Sequence, residues 1–168
     1  MNPVFDELTA PSWYSNEVEA LVRQLTPRVV GLEQLRSALV PMSEDDSDDD
    51  SEMAFSIDTF HVTDPQAEPD AQHVLLLADL AHHTCGYFTG ITYKCHLRVA
   101  KDAPLDDDQL KALGFWAVHL MYDIMATAWK TMVSGVLDFN SVEIEKYPKT
   151  VQITASRFPI PSDEKSKP

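Results

Sequence analysis

The sequence predicts an α+β fold in which antiparallel strands pack on one long helix. Three observations predict it. Residues 105–135 run without a proline and are apolar over most of their circumference. Residues 53–62 and 87–100 alternate apolar and polar side chains, the period of a half-buried strand. Residues 73–83 contain Val-Leu-Leu-Leu-Ala, a run apolar on both faces, as a central strand requires.

The helix carries its own start signal. Asp106 is placed as N-cap, with Gln109 three residues on to close a capping box, and Asp107 and Asp108 sit where the helix dipole favours negative charge. Gly135 is placed as the C-cap. About 27 residues at ~1.5 Å each give a helix of roughly 40 Å. His119, Asp123, Thr127, Lys130 and Ser134 follow a spacing of three or four and form one narrow polar stripe. The rest is nearly all apolar, more than a sheet-covering helix needs. Either the helix is central, or it packs a sheet on one side and a second subunit on the other. The second option predicts a dimer or tetramer, with Leu113, Leu120, Met125, Trp129 and Met132 as interface candidates. The charges of Lys111, His119, Asp123 and Lys130 along its length argue against a membrane span.

Composition narrows the partner. A chain of 168 residues suits one domain, and 44% hydrophobic residues suffice for a core. A net charge of −14 argues against nucleic acid and anionic membrane, and favours a basic or an unfolded polypeptide. No charged start leads into a long apolar run, so no signal peptide is expected. Two cysteines, Cys85 and Cys95, give no disulfide framework, and a reducing cytoplasm is the default location.

In chain order, residues 1–15 read as a flexible tail whose aromatics Phe5, Trp13 and Tyr14 dock on the domain's own surface. Asn16 and Glu19 suggest a capping box for a short helix over 17–25, stopped by Pro27. Residues 28–40 fit either period: Leu32, Leu35 and Leu39 favour a helix, while Val30, Leu32, Ala38 and Val40 fit one strand face that Gln34 and Arg36 interrupt. Periodicity alone leans to helix. Residues 43–52 hold seven acidic side chains and read as a solvated, mobile loop. A calcium loop would need a glycine at its sixth position, and this stretch has none. After Gly135, Val142 and Ile144 alternate with acids; Val151, Ile153 and Ala155 alternate again, a short strand or extended chain on the core. The working division is a tail at 1–15, a domain at 16–161, and a disordered tail at 162–168.

The chemistry-bearing side chains form no convincing site. His82, His83, Cys85, Cys95 and His96 cluster in sequence, but Cys95 and His96 are strand neighbours that point to opposite faces, and no Cys-x-x-Cys pair is present. Asp79 and His83 share a strand face without a fixed nucleophile, and His119 with Asp123 reads as a helix-surface pair. There is no glycine-rich phosphate loop and no nucleophile elbow. The expectation is a protein that is not an enzyme and carries no catalytic residues, cofactor or metal.

Residues 19–40, 91–100, 107–144 and 151–162 together resemble the SecB export-chaperone family, and more closely the SecB-like chaperones of toxin–antitoxin systems. The sequence departs from that pattern in the middle of the long helix, where Met121-Tyr122-Asp123 stands in place of a proline-tyrosine pair. The resemblance implies a four-stranded antiparallel sheet on one long helix, and it makes residues 28–40 a strand. It also implies an acidic homo-oligomer that holds unfolded or nascent polypeptide in apolar grooves without ATP, in protein export or beside a toxin–antitoxin pair. Under that implication Phe55, Ile57, Tyr87, Tyr93, Trp116 and Tyr122 are the client-binding candidates, although for any single one of them ordinary core is the stronger reading. The alternative is an acidic adaptor or immunity-type inhibitor of one folded basic partner, motivated by the acidic run at 44–50.

Overall fold

The computed structural model describes residues 13–42, 53–63, 71–84, 86–100, 103–135 and 146–159. They form α1 (Asn16–Leu25), β1 (Arg28–Pro41), β2 (Ala54–Thr63), β3 (Ala71–Thr84), β4 (Tyr87–Ala100), α2 (Asp107–Val133) and β5 (Gln152–Pro159). The acidic run at 43–52, Cys85, the alternation around Val142 and both terminal tails beyond these limits lie outside the described residues.

The sheet has five strands in the order β1-β4-β3-β2-β5. The first four strands pair antiparallel, as the sequence predicts. The fifth corrects the four-stranded expectation: β5 lies parallel to β2, from Ser56 opposite Gln152 to Thr63 opposite Pro159. The sheet is therefore mixed. β2, β3 and β4 bury alternate residues on one face, among them Ile57, Leu76, Leu80, Ile91 and Leu97. The other face carries half-buried side chains and no helix.

The strand reading of residues 28–40 is right and the helical one is not. In β1 the register against β4 skips Val30 and again Leu35. Each bulge inserts one residue and moves everything after it to the opposite face. The alternation therefore slips twice in 14 residues, and the leucines left at 32, 35 and 39 imitate a helical spacing.

Both helices start on side-chain caps. In α2 the Asp106 carboxylate accepts from the Gln109 N–H at 2.8 Å, and the Gln109 side chain accepts from the Asp106 N–H at 3.1 Å, the expected box. Its last residue is capped one position earlier than expected: Ser134 keeps a right-handed backbone and donates its N–H to the Lys130 carbonyl. In α1 the cap is Ser15, not Asn16; its Oγ accepts from the Val18 N–H, and the Glu19 carboxylate pairs with Arg23 one turn on. A cap one residue earlier frees Glu19 for this i,i+4 partner.

The apolar excess of α2 is mostly used within the chain. One side packs over β2, β3, β4 and β5, and another receives α1. Trp13 stacks on Phe115, with ring centroids 6.3 Å apart, and its Nε1 donates to the Pro148 carbonyl at 3.1 Å. Tyr14 is buried in the same cluster. Among the described residues, no helix is long and apolar enough to cross a membrane.

Candidate functional site

Most of the residues proposed from sequence to hold a client face inward. Phe55, Ile57, Trp116 and Tyr122 are all buried in the central cluster. Phe55 and Tyr122 meet edge to face at 5.4 Å, and Tyr122 reaches the Met53 sulfur at 3.9 Å. These four form the seam between β2 and α2, so a client has no access to them. Tyr87 and Tyr93 are half-buried on β4, and the Tyr93 hydroxyl donates to Gln34 on β1 at 2.9 Å.

The interface candidates on α2 divide in the same way. Leu113, Met125 and Trp129 are completely buried inside this one chain and have no surface left for a second subunit. Leu120 and Met132 are half-buried at the flank of the helix, where Ile124 is exposed.

The exposed apolar surface is elsewhere. Of six large aliphatic side chains exposed among the described residues, five belong to β1: Val29, Val30, Leu32, Leu35 and Val40. Val30 is 58% exposed. β1 is one of the two terminal strands of the sheet; among the described residues it pairs with β4 alone, and no described strand occupies its other backbone edge. α2 barely reaches it. Val29, Leu32 and Leu39 thus sit on the helix side of the sheet as a shelf beside Tyr93, Val29 and Leu32 exposed and Leu39 half-buried against the core. A long apolar edge strand is a template for pairing with another extended chain. The two bulges shorten the regular part to Arg36–Pro41 and the four residues between Val30 and Leu35, which limits indefinite sheet growth.

The opposite face of the same strands is charged. Register sets Arg28 directly opposite Arg98, and Arg98 opposite His73 on β3. One row along, Glu33 pairs with Lys94 at 2.7 Å. His73 Nδ1 and His96 Nε2 lie 2.9 Å apart, so they share one proton in a hydrogen bond. Burial, together with the neighbouring His73 and Lys94, lowers the His96 pKa from the ordinary imidazole value.

No three His, Cys, Asp and Glu side chains of the described residues come together as a metal site. Cys95 is buried, and burial pushes its thiol up to about 11, far from a reactive thiolate. Asp79 accepts from Thr92, not from His83, whose ring stands edge-on against Phe88.

The edge was missed in the sequence because residues 28–40 fit either a helical or a strand period, which left their place in the sheet open. The available signal was the interrupted alternation itself: a strand with aliphatics on both faces, broken by Gln34 and Arg36, belongs at a bulged edge and not in the centre.

No protein-family model matches the sequence, and neither does any curated protein. Solved structures do resemble the fold. One is a protein of unknown function from Streptococcus agalactiae, at a TM-score of 0.53 and 8% identity, covering 72% of this chain and 98% of that one. Another is a SecB-like chaperone from Mycobacterium tuberculosis in complex with a ChAD peptide from an antitoxin, at a TM-score of 0.45 and 12% identity, covering 79% of this chain and 100% of that one. The first likeness is one of fold alone.

Proposed function

We propose that this chain is an ATP-independent, SecB-like holding chaperone that takes extended, non-native polypeptide onto the free edge of β1. One observation carries the reading: among the described residues, five of the six exposed large aliphatics line a single strand whose outer backbone edge no described strand pairs. Strand addition supplies backbone hydrogen bonds whatever the client sequence, and the shelf of Val29, Leu32 and Leu39 takes apolar side chains at alternate positions. The net charge of −14 keeps such a surface in solution. No nucleotide, metal or catalysis enters this mechanism, and service to export or to a toxin–antitoxin pair is compatible with it.

The test is light scattering of a chemically denatured, unrelated protein diluted into buffer with and without ATP. The wild type suppresses scattering equally in both. A Leu32→Asp, Leu35→Asp variant, folded by circular dichroism, loses that activity. No suppression by folded wild type at several-fold molar excess removes the chaperone reading. Full activity of the variant removes the edge. An adaptor for one folded basic partner would ignore the denatured protein and lose its partner steeply with salt.

A second reading has its own observation. Antiparallel pairing of β1 with β1 of another copy, about a twofold between Gln34 and Leu35, sets Glu33 opposite Arg36 twice. Both side chains lie on the same face of the sheet. Self-association, expected from sequence through α2, is thereby reassigned to the sheet edge.

A further inference from the structure

The chain is acidic, but one face of it is not. β1 and β4 carry four of the chain's 13 basic residues, Arg28, Arg36, Lys94 and Arg98, and one of its 27 acidic residues, Glu33. The strand register puts all five on the same side. On β4 the buried positions are Thr89, Ile91, Cys95, Leu97 and Val99, so Lys94, His96 and Arg98 point away from α2. Arg28, Glu33 and Arg36 stand opposite Arg98, Lys94 and Thr92 and share that side. Glu33 is already engaged by Lys94.

Arg28 and Arg98 are the informative pair. Like charges directly opposite on neighbouring strands oppose sheet formation. Here they also border a cleft of about 290 Å³, closed by Thr26, Ala71 and Ala100, at the corner where β1 begins. The exposed Arg28 guanidinium beside this cleft can hold a carboxylate through paired N–H donors. At the other end of the edge Arg36 is exposed, opposite Thr92.

We propose that the β1 edge selects its polypeptide by charge: it takes extended segments that alternate apolar with acidic residues. The apolar side chains face the shelf beside α2, and the carboxylates face Arg28 and Arg36, both exposed on β1, on the opposite side. This rests on the edge reading above and deepens it. It also reverses the simplest inference from net charge, that an acidic chain wants a basic partner. Only one face of the added strand meets β1's charged side, so acidic residues at every second position suffice.

The experiment uses three labelled twelve-residue peptides with the same Val and Thr positions, and Glu, Ser or Lys at every second position. Fluorescence anisotropy against the full chain reads binding at 50 mM and 500 mM salt. The Glu peptide binds about tenfold tighter than the Ser peptide at low salt, and the gap narrows at high salt. The Lys peptide binds weakest. In an Arg28→Glu, Arg36→Glu variant the order of Glu and Lys peptides inverts, while the Ser peptide is unchanged and so reports that the edge is intact. Equal binding of all three overturns the charge selection and leaves the edge reading standing. A preference for Lys overturns it outright. If none of the three binds while denatured protein is still held, the client lies off β1 and the proposal falls with it. If β1 is closed in a dimer that no peptide opens, the edge belongs to a second copy and the proposal is likewise wrong.

Discussion

The indole N–H of Trp129 donates to Thr89 Oγ1 over 2.7 Å, with both residues fully buried between α2 and β4. Thr89 in turn donates to the His82 carbonyl at 2.9 Å, and the His82 ring stands edge-on to Trp129 at 5.6 Å. One hydroxyl thus ties the last turns of α2 to two strands. Replacing Thr89 with Val keeps the shape but leaves the indole N–H buried without its acceptor, at a cost of about 1–3 kcal/mol. Urea unfolding of Thr89→Val checks this. The Thr89→Val, Trp129→Phe double variant should lose less than the two single losses combined, because the two changes remove one shared bond.

Gly114 marks a close approach of α2 to the sheet. A Cβ there would stand 2.7 Å from Ile153 Cγ2 on β5 and 3.0 Å from Thr59 Oγ1 on β2. Alanine gains roughly 1 kcal/mol of helix propensity over glycine, but the overlap costs about 1–3 kcal/mol. Gly114→Ala is expected to lower the thermal midpoint, and Ile153→Ala in the same chain to recover part of it. A rise in the midpoint for Gly114→Ala alone would show that α2 does not seat on β5 as described.

The His73–His96 contact predicts acid sensitivity. The folded state holds the His96 pKa below its ordinary value, so the unfolded chain binds the proton more readily. Stability is then unaffected well above the unfolded value of about 6.5, and falls as pH drops through it toward the lower folded value. A fall between pH 7 and 5.5 that is shallower in His96→Gln than in wild type is the expected result. Parallel curves would show that burial of His96 does not couple its proton to unfolding.

Self-pairing of β1 can be tested by exchanging charges. Glu33→Arg and Arg36→Glu each set like charges opposite one another twice in a twofold pair, at up to about 1 kcal/mol per pair. Each variant alone should associate up to about thirtyfold more weakly in sedimentation. Mixed, they restore opposite charges and should pair with each other. Unchanged association of both single variants would place any oligomer contact elsewhere.

What could be read from the sequence was local. The capping box of α2 and the unbroken alternation of β4 are written within a few residues of where they act. β1 was hidden because two bulges, at Val30 and Leu35, break the period on which such a reading depends. The strand character of Val151, Ile153 and Ala155 was visible, but its parallel partner β2 is nearly a hundred residues away and no local pattern encodes it. For the site, alternation told which residues of β2 share a face and could not tell that α2 covers that face. Phe55 and Ile57, open in the sequence to groove or core, are buried, and the exposure of the β1 aliphatics had no local pattern to announce it.

The parallel seating of β5 against β2 has a consequence for the order of events during synthesis. β1 to β4 and α2 all precede β5 in the chain, and the four antiparallel strands can pair without it. Until β5 emerges, β2 is itself a terminal strand, and the nascent molecule offers open backbone on both sides of its sheet. Joining Ser56 to Gln152 closes a long loop, the slowest kind of contact to make. A growing chain therefore offers the β2 edge to other extended segments until its last strand docks, after which β1 and β5 are the two terminal strands among the described residues.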